Sequence, residues 1–522
     1  MIVTTAAEMR RMDALTIERF GVPGATLMER AGTGAAELVL ERFPHVRKHG
    51  VVVVAGKGNN GGDGFVVARV LKKKRVRVEV ILAMPASEIR GDARTKLLAW
   101  QRAGGKVQTV TAEKLEPLAR ALARSGCVID ALFGTGLNAD VTGLPAELIA
   151  MINAAGLPTV ALDLPSGLDA DRGVALGIAI EAELTIAFAA PKIGTVMQPG
   201  ARYAGEVAVV DIGIPDAAVT EVGVATEAVG LRDGARLLRP RDPEAHKGTH
   251  GHLAVIAGSL GKTGAAILAA RAATRAGSGL VTVGCPSVVL PIVANGILEA
   301  MTWPLPDDGA GGLAYGDAKA FHALLEDKRA AVVGPGIGTG PEREALIRWL
   351  VTARPLPLVL DADALNCLGA IGSDHERPAD PPPLILTPHP GEMARLTGES
   401  TATIQSDRLA AARAAAARYA AVVVLKGART VVAAPNGRAW INLSGNAGLA
   451  AGGTGDVLAG IIGSLLGQGY APEDAATLGV FLHGHAADRI AARRGMIGLI
   501  ASDLIDELPP TMLELLDLAA DA

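Results

Sequence analysis

Two aspartates in this chain stand where a proton could be moved. Asp163 closes the apolar run TVALDL (159–164) just before PSGLDAD, and Asp456 follows the glycine-rich GGTG at the start of DVLAGIIGSLL. A carboxylate at a buried strand end or a helix start becomes a useful acid or base when burial and nearby charge tune it. Asp130 ends another apolar run, CVID, ahead of ALFGTGL. In an open parallel sheet these strand ends lie on the edge where ligands bind. Asn60, Asp130 and Ser166 could converge there as hard oxygen donors for an alkali or alkaline-earth cation. A single such acid reads as a helix cap. Two of them, each beside a glycine-rich turn, favour a site.

The turns carry their own chemistry. In VVVVAGKGNNGGDG (51–64), Gly56, Gly58 and Gly61 spell G-x-G-x-x-G after a strand, with Glu79 on the next apolar run. That is nearly the dinucleotide-binding fingerprint, and the helix that follows can hold an anion at its N-terminus. Alone the pattern is weak. Asn59, Asn60 and Asp63 put polar oxygens where a dehydrogenase turn is small and apolar, so the ligand stays open on this evidence.

Farther along, Gly452, Gly453 and Gly455 precede a helix whose free amides could meet a phosphoryl group in flight, while Asp456 takes a hydroxyl proton. Lys426 in KGART (426–430) falls where a nucleotide phosphate could sit. GSLGKTG (258–264) is not a P-loop, because Ile256 occupies the place of the first glycine. The histidines of HKGTHGH (His246, His250, His252) read as a positioned turn rather than a zinc site. Asp361 and Asp363 in LDADALN suit a polar role at the sheet edge or a helix cap equally well. His483 and His485 point to different faces of a helix and read as structural.

The elements that must position these groups follow from the apolar runs. Helical periodicity over 7–42, broken by GVPG, predicts two helices. Buried strands are then expected at 51–55, 76–83, 127–133, 159–164, 184–188 and 206–212, and again at 252–258, 280–286, 330–338, 356–365, 384–389 and 421–427. Such runs separated by helical stretches predict α/β architecture with doubly wound parallel sheets. Asn436-Gly437 between two apolar runs predicts a hairpin, hence an antiparallel end to the second sheet. Domains are expected at 1–214 and 241–522 with a linker at 215–240, and PADPPP (378–383) as a surface loop.

The 522 residues include 50 basic and 54 acidic side chains, a net charge of -4 that gives no electrostatic case for nucleic acid or an anionic membrane surface. KKKRVR (72–77) reads as a solvated helix end. Three widely spaced cysteines, no signal peptide and no long uncharged apolar run point to a cytoplasmic protein.

GNNGGDG, DALFGTGL, LDLPSGLD, AAPKIG and the leading LMERAG resemble the NAD(P)H-hydrate epimerases, which have a Rossmann-like fold and interconvert the R and S forms of NADH or NADPH hydrated at the nicotinamide ring. The resemblance implies that Asn59, Asn60, Gly61, Gly62 and Asp63 contact the hydrate, together with Gly134, Thr135, Gly136, Leu137, Asn138, Ala139 and Asp140. It implies potassium on Asn60, Asp130 and Ser166, with Asp163 as the acid–base group and Lys192 beside it.

GGTGD, KGART, LDADALN, TPHPGEM, PGIGTG and HKGTHG resemble the ADP- or ATP-dependent NAD(P)H-hydrate dehydratases of ribokinase-like fold, which phosphorylate the hydrate's hydroxyl and eliminate it to regenerate NAD(P)H. That implies hydrate at Ala265, Gly338, His389 and Asp456, and adenine nucleotide at Lys426, Gly427, Ala428, Arg429, Thr430 and Gly455. Asp456 is then the base and magnesium accompanies the nucleotide. Together the two resemblances describe a fused, bifunctional hydrate-repair enzyme, using ADP by analogy with bacterial-type members and forming a homo-oligomer. Two competing readings are a small-molecule kinase sharing the GTGD turn, and a first domain that only binds. Retention of Asn60, Asp130, Asp163 and Ser166 argues against the second.

Overall fold

The structure, a computed structural model, describes residues 1–373 and 381–521. Of the proline-rich stretch 378–383, residues 378–380 lie outside the described residues. The chain divides into two compact units, Ile2–Thr226 and Glu227–Ala522, the latter with Met1.

In the first unit, strands β1 (Val51–Ala55), β2 (Val78–Leu82), β3 (Gln108–Thr109), β4 (Val128–Ala131), β5 (Thr159–Leu162), β6 (Leu184–Phe188) and β7 (Glu206–Val210) form one sheet in the order β3-β2-β1-β4-β5-β6-β7. Every pairing is parallel. All five residues of β1 are buried, as expected of a central strand covered by helices on both faces. The chain's direction of travel reverses between β1 and β4, and a crevice opens at such a switch point. The turns after β1 and β4 meet there: a Cβ on Gly56 would lie 1.9 Å from the Leu132 carbonyl oxygen. The turn also folds tightly on itself, because a Cβ on Gly61 would lie 2.0 Å from the Gly56 carbonyl oxygen. The two helices expected at the start are Ala6–Glu18 and Gly24–Arg42.

The second unit holds a ten-stranded sheet built from β8 (Thr226–Val229), β9 (His252–Ile256), β10 (Leu280–Pro286), β11 (Met301–Leu305), β12 (Ala330–Val333), β13 (Leu358–Leu360), β14 (Leu384–Leu386), β15 (Val422–Leu425), β16 (Val431–Ala433) and β17 (Ala439–Asn442). Its order is β11-β10-β9-β12-β13-β14-β15-β16-β17-β8. Strands from β11 through β15 pair in parallel. β15, β16 and β17 then pair antiparallel, with Val431 opposite Ile441 and Ala433 opposite Ala439 around the Asn436-Gly437 turn. This is the α/β architecture, with its antiparallel end, that the hydrophobic pattern predicts.

Helix Thr454–Gly467 crosses the sheet with every residue from Val457 to Gly467 buried. It can approach helix Thr263–Arg275 closely because a Cβ on Gly460 would sit 2.2 Å from the Ala269 carbonyl oxygen. The stretch 215–240 carries helix Asp216–Val222, β8 and helix Leu231–Leu237. Among the described residues no helix is long and apolar enough to cross a membrane.

The glycine turn can be tested directly. Gly61→Ala is expected to destabilise the first unit by about 1–3 kcal/mol, as overpacking against backbone does. Gly58→Ala, whose Cβ would meet nothing within 4 Å, should cost about 1 kcal/mol or less. Thermal midpoints of the two variants measure the difference.

Candidate active sites

The first site lies at the C-terminal ends of β4, β5 and β6. Asp130 is fully buried on β4 and is met by the Ser166 amide at 2.8 Å and the Ser166 hydroxyl at 2.6 Å. The Ser166 Oγ accepts from the Phe133 amide at 2.8 Å, and Asn60 Nδ2 donates to the Phe133 carbonyl at 2.6 Å. Asn60, Asp130 and Ser166 therefore surround one backbone segment, although 106 positions separate the first from the last. Asn60 Oδ1 is buried with no hydrogen-bond partner among the described residues. An orphaned amide oxygen beside a carboxylate and a hydroxyl is a donor set that suits a hard cation. Burial raises the Asp130 carboxyl to about 6, against the hydrogen bonds from Ser166.

Asp163 follows β5 in a left-handed backbone conformation, φ 66°, unusual for a residue with a Cβ. Its Oδ1 takes a hydrogen bond from Lys192 Nζ and faces the Phe188 amide at 3.3 Å. Lys192 is fully buried and also donates to the Ala190 carbonyl at 3.1 Å. Asp63, buried in the first turn of helix Asn59–Lys73, is pushed well above the usual carboxylate range by burial and then by the charge of Asp163. Asn59, Gly61 and Gly62 share that turn. Gly134 packs against Asn60, while Asn138, Ala139 and Asp140 are exposed farther along their loop, beyond Thr135, Gly136 and Leu137.

The second site gathers around Lys426 at the end of β15. Its ammonium is 2.7 Å from Asp361 and 3.6 Å from Glu392. Burial works against that charge, but the two carboxylates outweigh it and hold the lysine protonated. Asp361, almost wholly buried, also accepts from the Thr387 hydroxyl at 2.7 Å. Asp456 lies in the first turn of helix Thr454–Gly467, and a Cβ on Gly455 would stand 3.6 Å from the lysine nitrogen. Burial first, then Asp361, raise the Asp456 carboxyl to about 7. His389 caps helix Pro390–Thr397, its Nδ1 accepting from the Gly391 amide at 3.0 Å. Burial and then Lys426 lower its pKa, favouring the neutral ring.

Asp363 takes the Gly338 amide at 2.8 Å and Lys262 Nζ at 3.1 Å, so both aspartates of LDADALN act in polar networks. Ala265 sits one turn along from Lys262, its amide on the Lys262 carbonyl at 3.3 Å. In the KGART loop, Thr430 Oγ1 bonds the Gly427 carbonyl at 2.9 Å, and Arg429 turns away to the Leu443 carbonyl. Buried His483 holds the Thr454 carbonyl at 2.9 Å from below.

Sequence reasoning missed Glu392, which lies inside the quoted TPHPGEM, and Arg408. Buried Arg408 donates to the carbonyls of Leu425 at 2.9 Å and Arg429 at 3.3 Å and to that of Ala428, and so shapes the loop. An arginine in the alanine-rich RLAAARAAAARY carries no local signal of that role.

Two open α/β sheets, each gathering carboxylates and one largely buried lysine at its strand ends, define a two-domain α/β enzyme. Residues 253–510 match the family described as NAD(P)H-hydrate dehydratase, and residues 24–194 match YjeF-related protein N-terminus. The chain is 43% identical to the bifunctional NAD(P)H-hydrate repair enzyme Nnr of Moorella thermoacetica, over 98% of this chain and 96% of that protein. The same-named proteins of Salinibacter ruber and Escherichia coli are 40% and 37% identical, over 97% and 96% of this chain and 95% and 92% of theirs. The crystal structure of the ADP/ATP-dependent NAD(P)H-hydrate dehydratase of Bacillus subtilis, co-crystallised with ATP and Mg2+, is 35% identical, spanning 55% of this chain and 98% of its own with a TM-score of 0.49. The chain belongs to the family of bifunctional NAD(P)H-hydrate repair enzymes.

Arg408→Met should remove the loop's three carbonyl contacts and cost about 3 kcal/mol, the scale of losing charge-assisted hydrogen bonds in a buried setting. Denaturant unfolding gives the cost, and faster amide exchange at 427–430 would locate it.

Proposed function

We propose that this chain repairs hydrated NADH and NADPH. The first unit interconverts the R and S epimers, and the second uses ADP or ATP to dehydrate the S epimer to NAD(P)H. Beyond family membership, the observation that supports this most is an aspartate set beside a largely buried lysine in each unit: Asp163 accepts a hydrogen bond from Lys192, and Asp456 lies within the field of Lys426.

In the second site Asp456 takes the proton of the hydrate's hydroxyl as a phosphoryl group is transferred to that oxygen. The amides at the start of helix Thr454–Gly467 and the Lys426 charge oppose the negative charge that builds up. The phosphate then leaves with its electron pair, the neighbouring ring carbon gives up a proton to solvent, and the electrons of that C–H bond restore the double bond. Lys426 to Thr430 and Gly455 hold the nucleotide, with Ala265, Gly338 and His389 toward the hydrate. Magnesium, when bound with the nucleotide, neutralises phosphate charge. A stable phosphate ester would be the product of a simple kinase; family membership favours elimination.

In the first site Asp163, set by Lys192, moves the proton that lets the carbinolamine-type hydroxyl leave and return. Asn59 to Asp63 and Gly134 to Asp140 line the hydrate. Asn60, Asp130 and Ser166 hold potassium, for which the orphaned Asn60 Oδ1 is the supporting feature. We place the protein in the cytoplasm, as a homo-oligomer.

Asp456→Asn should lower dehydration by about 1,000-fold while leaving epimer exchange intact, and Asp163→Asn should do the reverse. Absorbance of the reduced nicotinamide, followed on an R/S hydrate mixture with each nucleotide, reads both effects and identifies the preferred one. If either folded variant loses both activities, the division of labour fails. Asp456 works as a base, so dehydration should fall as pH drops through about 7, where its carboxyl becomes protonated. Potassium in place of lithium should raise the first unit's thermal midpoint, and Asn60→Ala should abolish that rise.

A further inference from the structure

Inverting a carbon that bears a hydroxyl needs protons in two places. The hydroxyl must be protonated to leave as water from one face of the ring. Water must then lose a proton as it adds to the other face. One carboxylate fixed on one side does not serve both steps well, so a second proton-transfer group is expected across the substrate.

Helix Ala6–Glu18 brings one. The segment before it is anchored beside the catalytic lysine: the Thr4 amide bonds the Pro191 carbonyl at 2.9 Å, and the Ile193 amide bonds the Thr4 carbonyl at 3.0 Å. A capping box between Thr5 and Glu8 fixes the helix start, and the Ala6 amide bonds Asp171 Oδ1 at 2.7 Å. One turn on, Arg10 Nη1 reaches the Thr135 carbonyl at 3.2 Å, within the loop assigned to the hydrate. Asp13 is three residues beyond, on the same helical face.

Asp13 is half-buried in mid-helix, where aspartate is a poor choice for helix stability. It has no hydrogen-bond partner among the described residues, so neither a cap nor an ion-pair role accounts for it. The groups acting on it are those of the site. Burial raises its carboxyl to about 6, with Lys192 opposing and Asp163 adding to the rise. Asp63 in turn feels the charge of Asp13.

We propose that Asp13 is the second proton-transfer group of the epimerising site, working with Asp163 across the ring carbon. The inference rests on the epimerase reading above. One of the two acids, protonated, gives its proton to the hydroxyl oxygen. The carbon–oxygen bond breaks, its electron pair leaving with water, while the ring nitrogen's lone pair forms the carbon–nitrogen double bond. Water adds from the other face, the double-bond pair returns to nitrogen, and the second acid, as carboxylate, takes the released proton. Nothing is oxidised, and one proton has passed from one carboxyl to the other. The reverse epimerisation runs from that exchanged state, so a pair sharing one proton serves both directions.

The test uses the full chain without nucleotide, so that hydrate is not consumed, and follows R/S exchange from a single epimer by chromatography. Asp13→Asn should lower kcat about 100-fold with KM changed by less than about threefold. The wild-type rate should be bell-shaped in pH, since only the singly protonated pair is competent, and the variant should lose one limb. Asp13→Glu, which keeps the acid, should retain exchange about 10-fold or more above Asp13→Asn. Exchange by Asp13→Asn within about threefold of wild type overturns the role of Asp13 and leaves the epimerase reading standing. Equal loss in the Asn and Glu variants with a lowered thermal midpoint assigns Asp13 to structure and also overturns it. A wild-type chain that exchanges no epimers overturns both.

Discussion

A lysine ammonium drawn largely out of water must be met by carboxylate, or the fold cannot keep its charge. Lys192 and Lys426 impose that condition on the two units. Lys192 holds Asp163 and two backbone carbonyls around it, and Lys426 holds Asp361 and Glu392. Removing either lysine would leave acids buried without compensation, a larger loss than the pair itself contributes. The surrounding strand ends are therefore fixed by electrostatics as much as by apolar packing.

The same condition sets the chemistry. A buried lysine neutralises only one carboxylate, and each site has more than one. In the second unit Asp361 sits closest to Lys426, and Glu392 and Asp456 are both raised. In the first, Asp163 takes the lysine's hydrogen bond, while Asp13 and Asp63 are both raised. Surplus acid beside a single fixed cation is a way of storing an exchangeable proton at the pH of the cell. The two units reach it with unrelated sequences, which shows how general the arrangement is at the open edge of an α/β sheet.

Much of this was legible in one dimension. Buried strands such as VVVVA declare themselves by unbroken apolar runs, and Asn436-Gly437 announces its hairpin, in which Gly437 takes the left-handed backbone that glycine adopts easily. The strand-end aspartates were visible because they interrupt those runs. The pairs were not. Lys192 lies 29 positions from Asp163, and Lys426 lies 65 from Asp361, so only the order of strands in the sheet brings them together. Glu392 lies in the capping box that opens helix Pro390–Thr397, a local role that conceals its place beside Lys426. Asp13 in RRMDALT reads as one more surface acid. β3, β8 and β11 escaped notice because they are short or, in MTWPL, carry a proline. The stretch 215–240 offered no long apolar run, although it folds as helix, strand and helix.

β8 has a consequence for how this chain can be divided. It lies at the end of the ten-stranded sheet beside β17, with the Leu443 amide bonded to the Val229 carbonyl at 3.0 Å. A truncation beginning at 241 would omit this strand and leave β17, whose AWIN is entirely buried, as a bare edge. Unpaired strand edges of that kind recruit other chains. The second unit is thus protected from aggregation by residues that precede its first motif. A gene fusion or fission at this junction would have to carry β8 along with the second half.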